Sequence, residues 1–108
     1  MYQKLDEILS KVQEKPYQPF RVHNPEGRDL LFKGKEIISV SETEIPELGA
    51  DTIRIIVTDK DSFVILDGRC EKPMVIKDKY SLTFGCLGYD RVAKAIYGLL
   101  GIESFEYV

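Results

Sequence analysis

The stretch TIRIIVTDKDSFVILDG, residues 52–68, decides the fold. Ile53, Ile55 and Val57 alternate with Thr52, Arg54, Ile56 and Thr58, and a period of two places the first three on one face of a strand. In the second arm Phe63 and Ile65 share one face while Val64 and Leu66 share the other. The polar run Asp59-Lys60-Asp61-Ser62 between the arms is a reversal signal, so the stretch predicts a β-hairpin. Asp67-Gly68 marks the next turn. The second arm is apolar on both faces, which predicts a central strand covered on two sides. Helices at the two ends of the chain are expected to supply the covers.

A chain of 108 residues is expected to form one domain. Its 44% hydrophobic and 31% charged residues belong to an ordinary folded protein. The net charge of −3 argues against a general nucleic-acid coat, which is normally basic. The opening MYQKLDEILSKVQEK lacks the apolar core of a signal peptide. No apolar run is long enough for a membrane span, so a cytoplasmic location is expected. Cys70 and Cys86 are too far apart for a Cys-x-x-Cys redox pair; free thiols are expected, with a single disulfide as the alternative.

Outward from the hairpin, Leu5, Ile8, Leu9 and Val12 recur with Tyr2 at three- and four-residue steps and predict an amphipathic helix over 2–14, ended by Pro16 and Pro19. Two alternating runs, 19–24 and 29–33, flank Pro25-Glu26-Gly27 and predict a second hairpin. Gly34-Lys35 then leads into a separate strand over 36–41. Residues 42–51 read as the longest irregular loop. After Gly68, residues 74–76 and 80–84 predict two short strands, the second from the alternation of Tyr80, Leu82 and Phe84 with Ser81 and Thr83. A helix is predicted over 90–100, with Asp90 as N-cap and Gly101 as the residue past its end. Gly98, unfavourable in mid-helix, suggests a close backbone approach there. Residues 102–108 alternate and predict a last strand. The expected fold is α+β: one small domain with a mostly antiparallel sheet of about six to seven short strands, an N-terminal and a C-terminal helix, and a closing strand.

Chemistry is sparse. His23 is the sole histidine, and no second histidine or cysteine lies near it to complete a zinc set. Asp59-Lys60-Asp61 opens like a calcium loop, but the later ligands and the glycine are not at the required spacing. There is no Gly-x-Ser-x-Gly elbow, and acids in hairpin turns sit in water with little reason to shift toward proton transfer. Neither enzymatic activity nor a metal or cofactor is expected.

Charge is more informative. Residues 42–67 hold seven acids against Arg54 and Lys60, a net of −5, whereas residues 69–94 hold six bases against three acids, a net of +3. Complementary patches of this kind favour recognition of another protein. The sequence therefore predicts a non-catalytic interaction module, with Glu42, Glu44, Glu47 and Asp51 as the contact residues. In size and charge it is of a kind with small inhibitors, immunity-type proteins and phage-encoded antagonists. The exposed edges and the nearly all-apolar last helix also point to a homo-oligomer. The alternative is a small-ligand site for a nucleotide-like anion at the strand-to-helix turn. There Gly85 and Gly88 would free backbone N–H groups, and Lys77, Lys79 and Arg91 would add positive charge. That turn matches neither the Walker pattern nor the dinucleotide fingerprint. Nucleic acid and membrane are not expected partners.

Overall fold

The computed structural model describes residues 3–82 and 87–102. Helix α1 (Gln3–Lys11) is followed by strands β1 (Gln18–Val22) and β2 (Leu30–Val40) and a 3-10 turn at Pro46–Leu48. Then come β3 (Ile53–Thr58), β4 (Phe63–Asp67), β5 (Met74–Ile76), the one-turn helix α2 (Lys79–Leu82) and helix α3 (Arg91–Leu100). The five strands form one antiparallel sheet in the order β1-β2-β3-β4-β5, so every neighbour in space is a neighbour in sequence. The α+β class and the two terminal helices are as the sequence predicts.

The central hairpin is β3–β4, with Ile55 opposite Ile65 and Val57 opposite Phe63. These four, with Ile53 and Ile76, meet Leu5 and Val12 of α1 and Val92, Ala93, Ile96, Tyr97 and Leu100 of α3 in one buried cluster. Ile56 and Val64 are equally buried but stand outside that cluster, on the reverse face. The second arm is thus covered on two sides, but only one cover is helical. On the reverse face Phe20 of β1 stacks on Phe32 of β2, ring centroids 5.2 Å apart, and Phe32 reaches toward Ile56.

The hairpin tip is held by Thr58. Its Oγ1 lies 2.6 Å from Ser62 Oγ and accepts from the backbone N–H groups of Lys60 and Ser62. Asp61 takes the left-handed conformation, φ 59°, that short polar side chains tolerate in turns.

Four features depart from the sequence reading. The described sheet has five strands, not six or seven. The predicted strands 29–33 and 36–41 are one continuous eleven-residue strand, β2. Its first half pairs with β1 and its second half with β3, and Gly34 pairs on both sides, with Gln18 and Thr58. Gly34 is no break. A Cβ there would sit 2.5 Å from Ile56 Cγ2 and 3.2 Å from Phe32 Cε2, so only glycine lets the strand pass beneath those side chains. A register shift between Glu36 and Ile38 leaves Ile37 as a bulge, so Ile37 and Ile38 both join the helix-side core.

The third departure is the strand predicted at 80–84. Residues 79–82 form α2, where Asp78 accepts from Ser81 N–H at 2.7 Å and Leu82 N–H bonds to the Asp78 carbonyl. Asp78 thus offers these residues a capped turn that outweighs their alternation. Thr83 and Phe84 lie outside the described residues, as do Tyr2 and residues 103–108 of the predicted last strand. Finally, Gly98 has open space around it instead of a close neighbour. The residue with the close approach is Gly101, which takes φ 71° past the end of α3 and would press a Cβ to 2.5 Å from Lys4 Cβ. Lys4 Nζ also donates to the Gly98 carbonyl at 3.1 Å, so α1 and α3 are locked at this end. The apolar circumference of α3 is covered within the chain: Ala95 and Leu99, the residues outside its main buried stripe, also pack on the core.

Two glycine substitutions should therefore act in opposite directions. In urea unfolding, Gly34→Ala is expected to cost about 1–3 kcal/mol through overpacking. Gly98→Ala is expected to gain about 0.5–1 kcal/mol, since the new methyl meets no other group and helix propensity rises. Equal and small effects at both positions would contradict the packing described for β2.

Candidate functional site

The two regions singled out by charge are brought together. Arg91, at the start of α3, places its guanidinium 3.8 Å from Glu47 in the 42–51 loop. Arg91 is largely exposed, so this contact is loose.

The loop itself is built by Ser41 and Glu44. Ser41 donates both its N–H and its hydroxyl to the Glu44 carboxylate, at 2.7 and 3.1 Å. The Ser41 carbonyl accepts from Glu44 and Ile45 N–H. Ile45 and Leu48 then drop into the core and pin the loop down. Glu44 is therefore spent on the loop's own architecture. The two Ser41 donors hold its carboxyl below the ordinary carboxylate range. Glu42 and Glu47 face solvent, and Asp51 is half-buried.

The Gly88 turn is similarly self-satisfied. Tyr97, buried in α3, accepts from Leu87 N–H at 2.9 Å and donates to the Gly88 carbonyl at 2.8 Å. Asp90 caps α3 by accepting from Ala93 N–H at 2.8 Å, as its position predicts. A carboxylate already occupies the helix start that an anion would need. Lys79 is paired with Asp6 at 2.8 Å, and Lys77 is exposed. Gly85 lies outside the described residues. Of the residues proposed for an anion, Lys79, Gly88 and Arg91 thus meet Asp6, Tyr97 and Glu47 respectively.

His23 belongs to a surface lock. Asp29 accepts from Asn24 N–H at 3.1 Å, lies 3.1 Å from His23 Nδ1 and sits 3.5 Å from Arg21. These contacts, the Asn24 N–H foremost, lower the Asp29 pKa and tie the ends of the β1–β2 turn together. Among the described residues no group of three or more His, Cys, Asp or Glu could hold a metal ion. Cys70 is an exposed free thiol, and Cys86 lies outside the described residues. No described helix is long and apolar enough to cross a membrane.

Two of the cavities among the described residues lie elsewhere. The larger, about 690 Å³, runs where the β1–β2 arm projects past the tip of the central hairpin. Phe20, Phe32, Val64 and Val75 give it apolar walls, and Leu31 stands at its side, 76% exposed. The Lys33 carbonyl accepts from Asp59 N–H, so odd-numbered residues in this part of β2 aim their backbone groups toward β3. Leu31 lies two residues beyond, past the end of β3, and its N–H and C=O face open space. The smaller cavity, about 440 Å³, lies on the helix side, between the end of α1, the β3–β4 tip and α2. Lys35, only 9% exposed, lines it.

No family model matches this chain, and no curated protein or solved structure matches it. The site must be read from its own geometry.

Neither cavity is named by the sequence reading, because both depend on β2 being continuous. Once Gly34 is read as a strand residue, period two puts Leu31, Lys33 and Lys35 on one face and Phe32 and Gly34 on the other.

The Glu44 lock gives a pH signature. Its folded pKa is depressed, so the stability it adds is fully present above its ordinary value of 4.5 and is lost as pH falls through the lower folded value. Glu44→Gln should lower the melting temperature at neutral pH, and the gap to wild type should close in acid. A gap unchanged from neutral pH to well below the ordinary carboxylate range would refute the lock.

Proposed function

We propose that this protein is a non-catalytic interaction module that binds an extended segment of another protein by strand addition at the free edge of β2. The observation that carries the reading is Leu31. A large apolar side chain, the most exposed of its kind among the described residues, stands on a strand edge with unpaired backbone groups beside an apolar groove. Unpaired edges pair readily with a further strand, whose main chain supplies affinity while alternate side chains fill pockets. The stacked Phe20 and Phe32 and the exposed Val75 offer such a surface to every second side chain of the partner.

The reading keeps the protein-binding class that charge suggests and moves its centre. Leu31 and the 42–51 loop lie at opposite ends of β2, about 30 Å apart along a strand of that length. Glu42 and Glu47 then act as peripheral charge that steers encounter, with a smaller share of the affinity.

Affinity capture from the source cells tests this with two substitutions at one position. Leu31→Pro removes the outward N–H without touching the bonds to β1, and Leu31→Asp puts a charge on the edge beside the groove. Both should abolish recovery of the partner while the melting temperature holds. Glu42→Gln with Glu47→Gln should keep the partner and reduce salt dependence. Equal recovery with the Leu31 variants, or no specific protein recovered by wild type, would overturn the proposal.

A further inference from the structure

Lys35 is one of two buried polar side chains in the described structure, and the only charged one. Its stem lies on the helix-side face of β2, opposite Val57. Its ammonium donates to the Gln13 carbonyl at 2.9 Å and sits 4.2 Å from the centroid of the Tyr17 ring. No carboxylate lies within ion-pairing distance of it among the described residues. An ammonium has three N–H donors, and here one meets a carbonyl and the charge faces a ring. A cation withdrawn from water without an anion is costly. It is also ready to accept one.

The cavity beside it supplies the rest of a site. Its 440 Å³ falls in the range of small-molecule pockets. Val12, Val57 and Phe63, all buried, form an apolar wall next to the ammonium. Lys79, its ammonium already paired with Asp6, lines the cavity too, as do two exposed carboxylates, Asp61 and Asp78. Their negative charge opposes a phosphate or any polyanion and leaves room for a single negative group placed on Lys35.

We propose that this cavity binds a small amphipathic monocarboxylate, its carboxylate on the Lys35 ammonium and its apolar body against Val12, Val57 and Phe63. The site lies on the opposite side of the sheet from the Phe20–Phe32 stack and is independent of the strand-addition reading. A purely structural Lys35, one that only ties the end of α1 to β2, would show no preference among ligands of different charge.

The test uses three probes of one shape on the full chain: 4-phenylbutyrate, 4-phenylbutanol and 4-phenylbutylamine, followed by amide chemical shifts in NMR titrations. The carboxylate should give saturable shifts at Val12, Tyr17, Lys35, Val57 and Phe63, with a Kd below about 1 mM. The alcohol and the amine should bind at least about tenfold more weakly. Lys35→Met, which keeps length and removes charge, should weaken the carboxylate by at least about tenfold. The comparison of probes on wild-type protein decides the matter even if that variant does not fold. Absence of saturable shifts, shifts centred elsewhere, equal binding of the three probes, or unchanged binding to a folded Lys35→Met would each overturn the proposal.

Discussion

The contact of Gly34 with Ile56 and Phe32 is the constraint on which the sheet depends. β2 serves two partners in succession, β1 along its first half and β3 along its second, and Gly34 is where it is paired to both. The side chains of Ile56 and Phe32 occupy the space above that backbone, within 2.5 and 3.2 Å of where a Cβ would stand. A side chain there would force the two hairpins apart or tilt the β1–β2 arm away from the reverse face. The bulge at Ile37, three residues on, completes the arrangement. It adds one residue to the strand, increases its local twist, and turns both Ile37 and Ile38 toward the helices.

From this follow two unlike faces. On the helix side α1 and α3 cover the central hairpin and leave the smaller cavity near its tip. The reverse side has a partial roof, the Phe20–Phe32 stack, which shelters Ile56 and Val64 and stops short of Val75 at the sheet edge, 56% exposed. Arg54 borders the roof, its guanidinium bonded to Glu36 at 2.7 Å and 5.9 Å from the Phe20 ring centroid. The row Ile56, Val64 and Val75, paired directly across β3, β4 and β5, thus runs from a buried end to an open one. The larger cavity begins where the roof ends.

Local chemistry is legible in the sequence where one signal dominates. The alternation of residues 53–57 and 63–66 dictated the central hairpin, and Asp90 and Gly101 marked the two ends of α3 through side-chain capping and positive φ. Competing signals mislead. Gly34 resembles a turn residue to any local rule, and its real role depends on Ile56, twenty-two positions away. Tyr80, Leu82 and Phe84 alternate like a strand, yet Asp78 diverts residues 79–82 into a capped turn. Gly98 carried the propensity cost expected of a packing glycine, but the packing glycine is Gly101, against Lys4 at the other end of the chain. The candidate surfaces were the least legible part. Glu44 resembled its acidic neighbours in sequence, and only the geometry shows its carboxylate committed to Ser41.

Lys33 and Lys35 show how position in the fold, not residue type, sets chemistry. They flank Gly34, share one face of β2 and differ by a single period of the strand. Lys33 lies exposed on the stretch that runs toward the projecting β1–β2 arm, whereas Lys35 lies under the chain leaving α1. That chain is placed by where α1 stops. The helix ends at Lys11, turn bonds from Gln13 and Lys15 carry it to Pro16, and Tyr17 arrives over the lysine just before β1 begins. The Gln13 carbonyl, released from helical bonding by that ending, is the group that meets the ammonium. A helix continued for another turn would bury this carbonyl in its own ladder and leave Lys35 without its one acceptor. The end of α1 and the passage through Gly34 thus jointly create a desolvated cation beside an apolar wall, a combination that neither segment specifies alone.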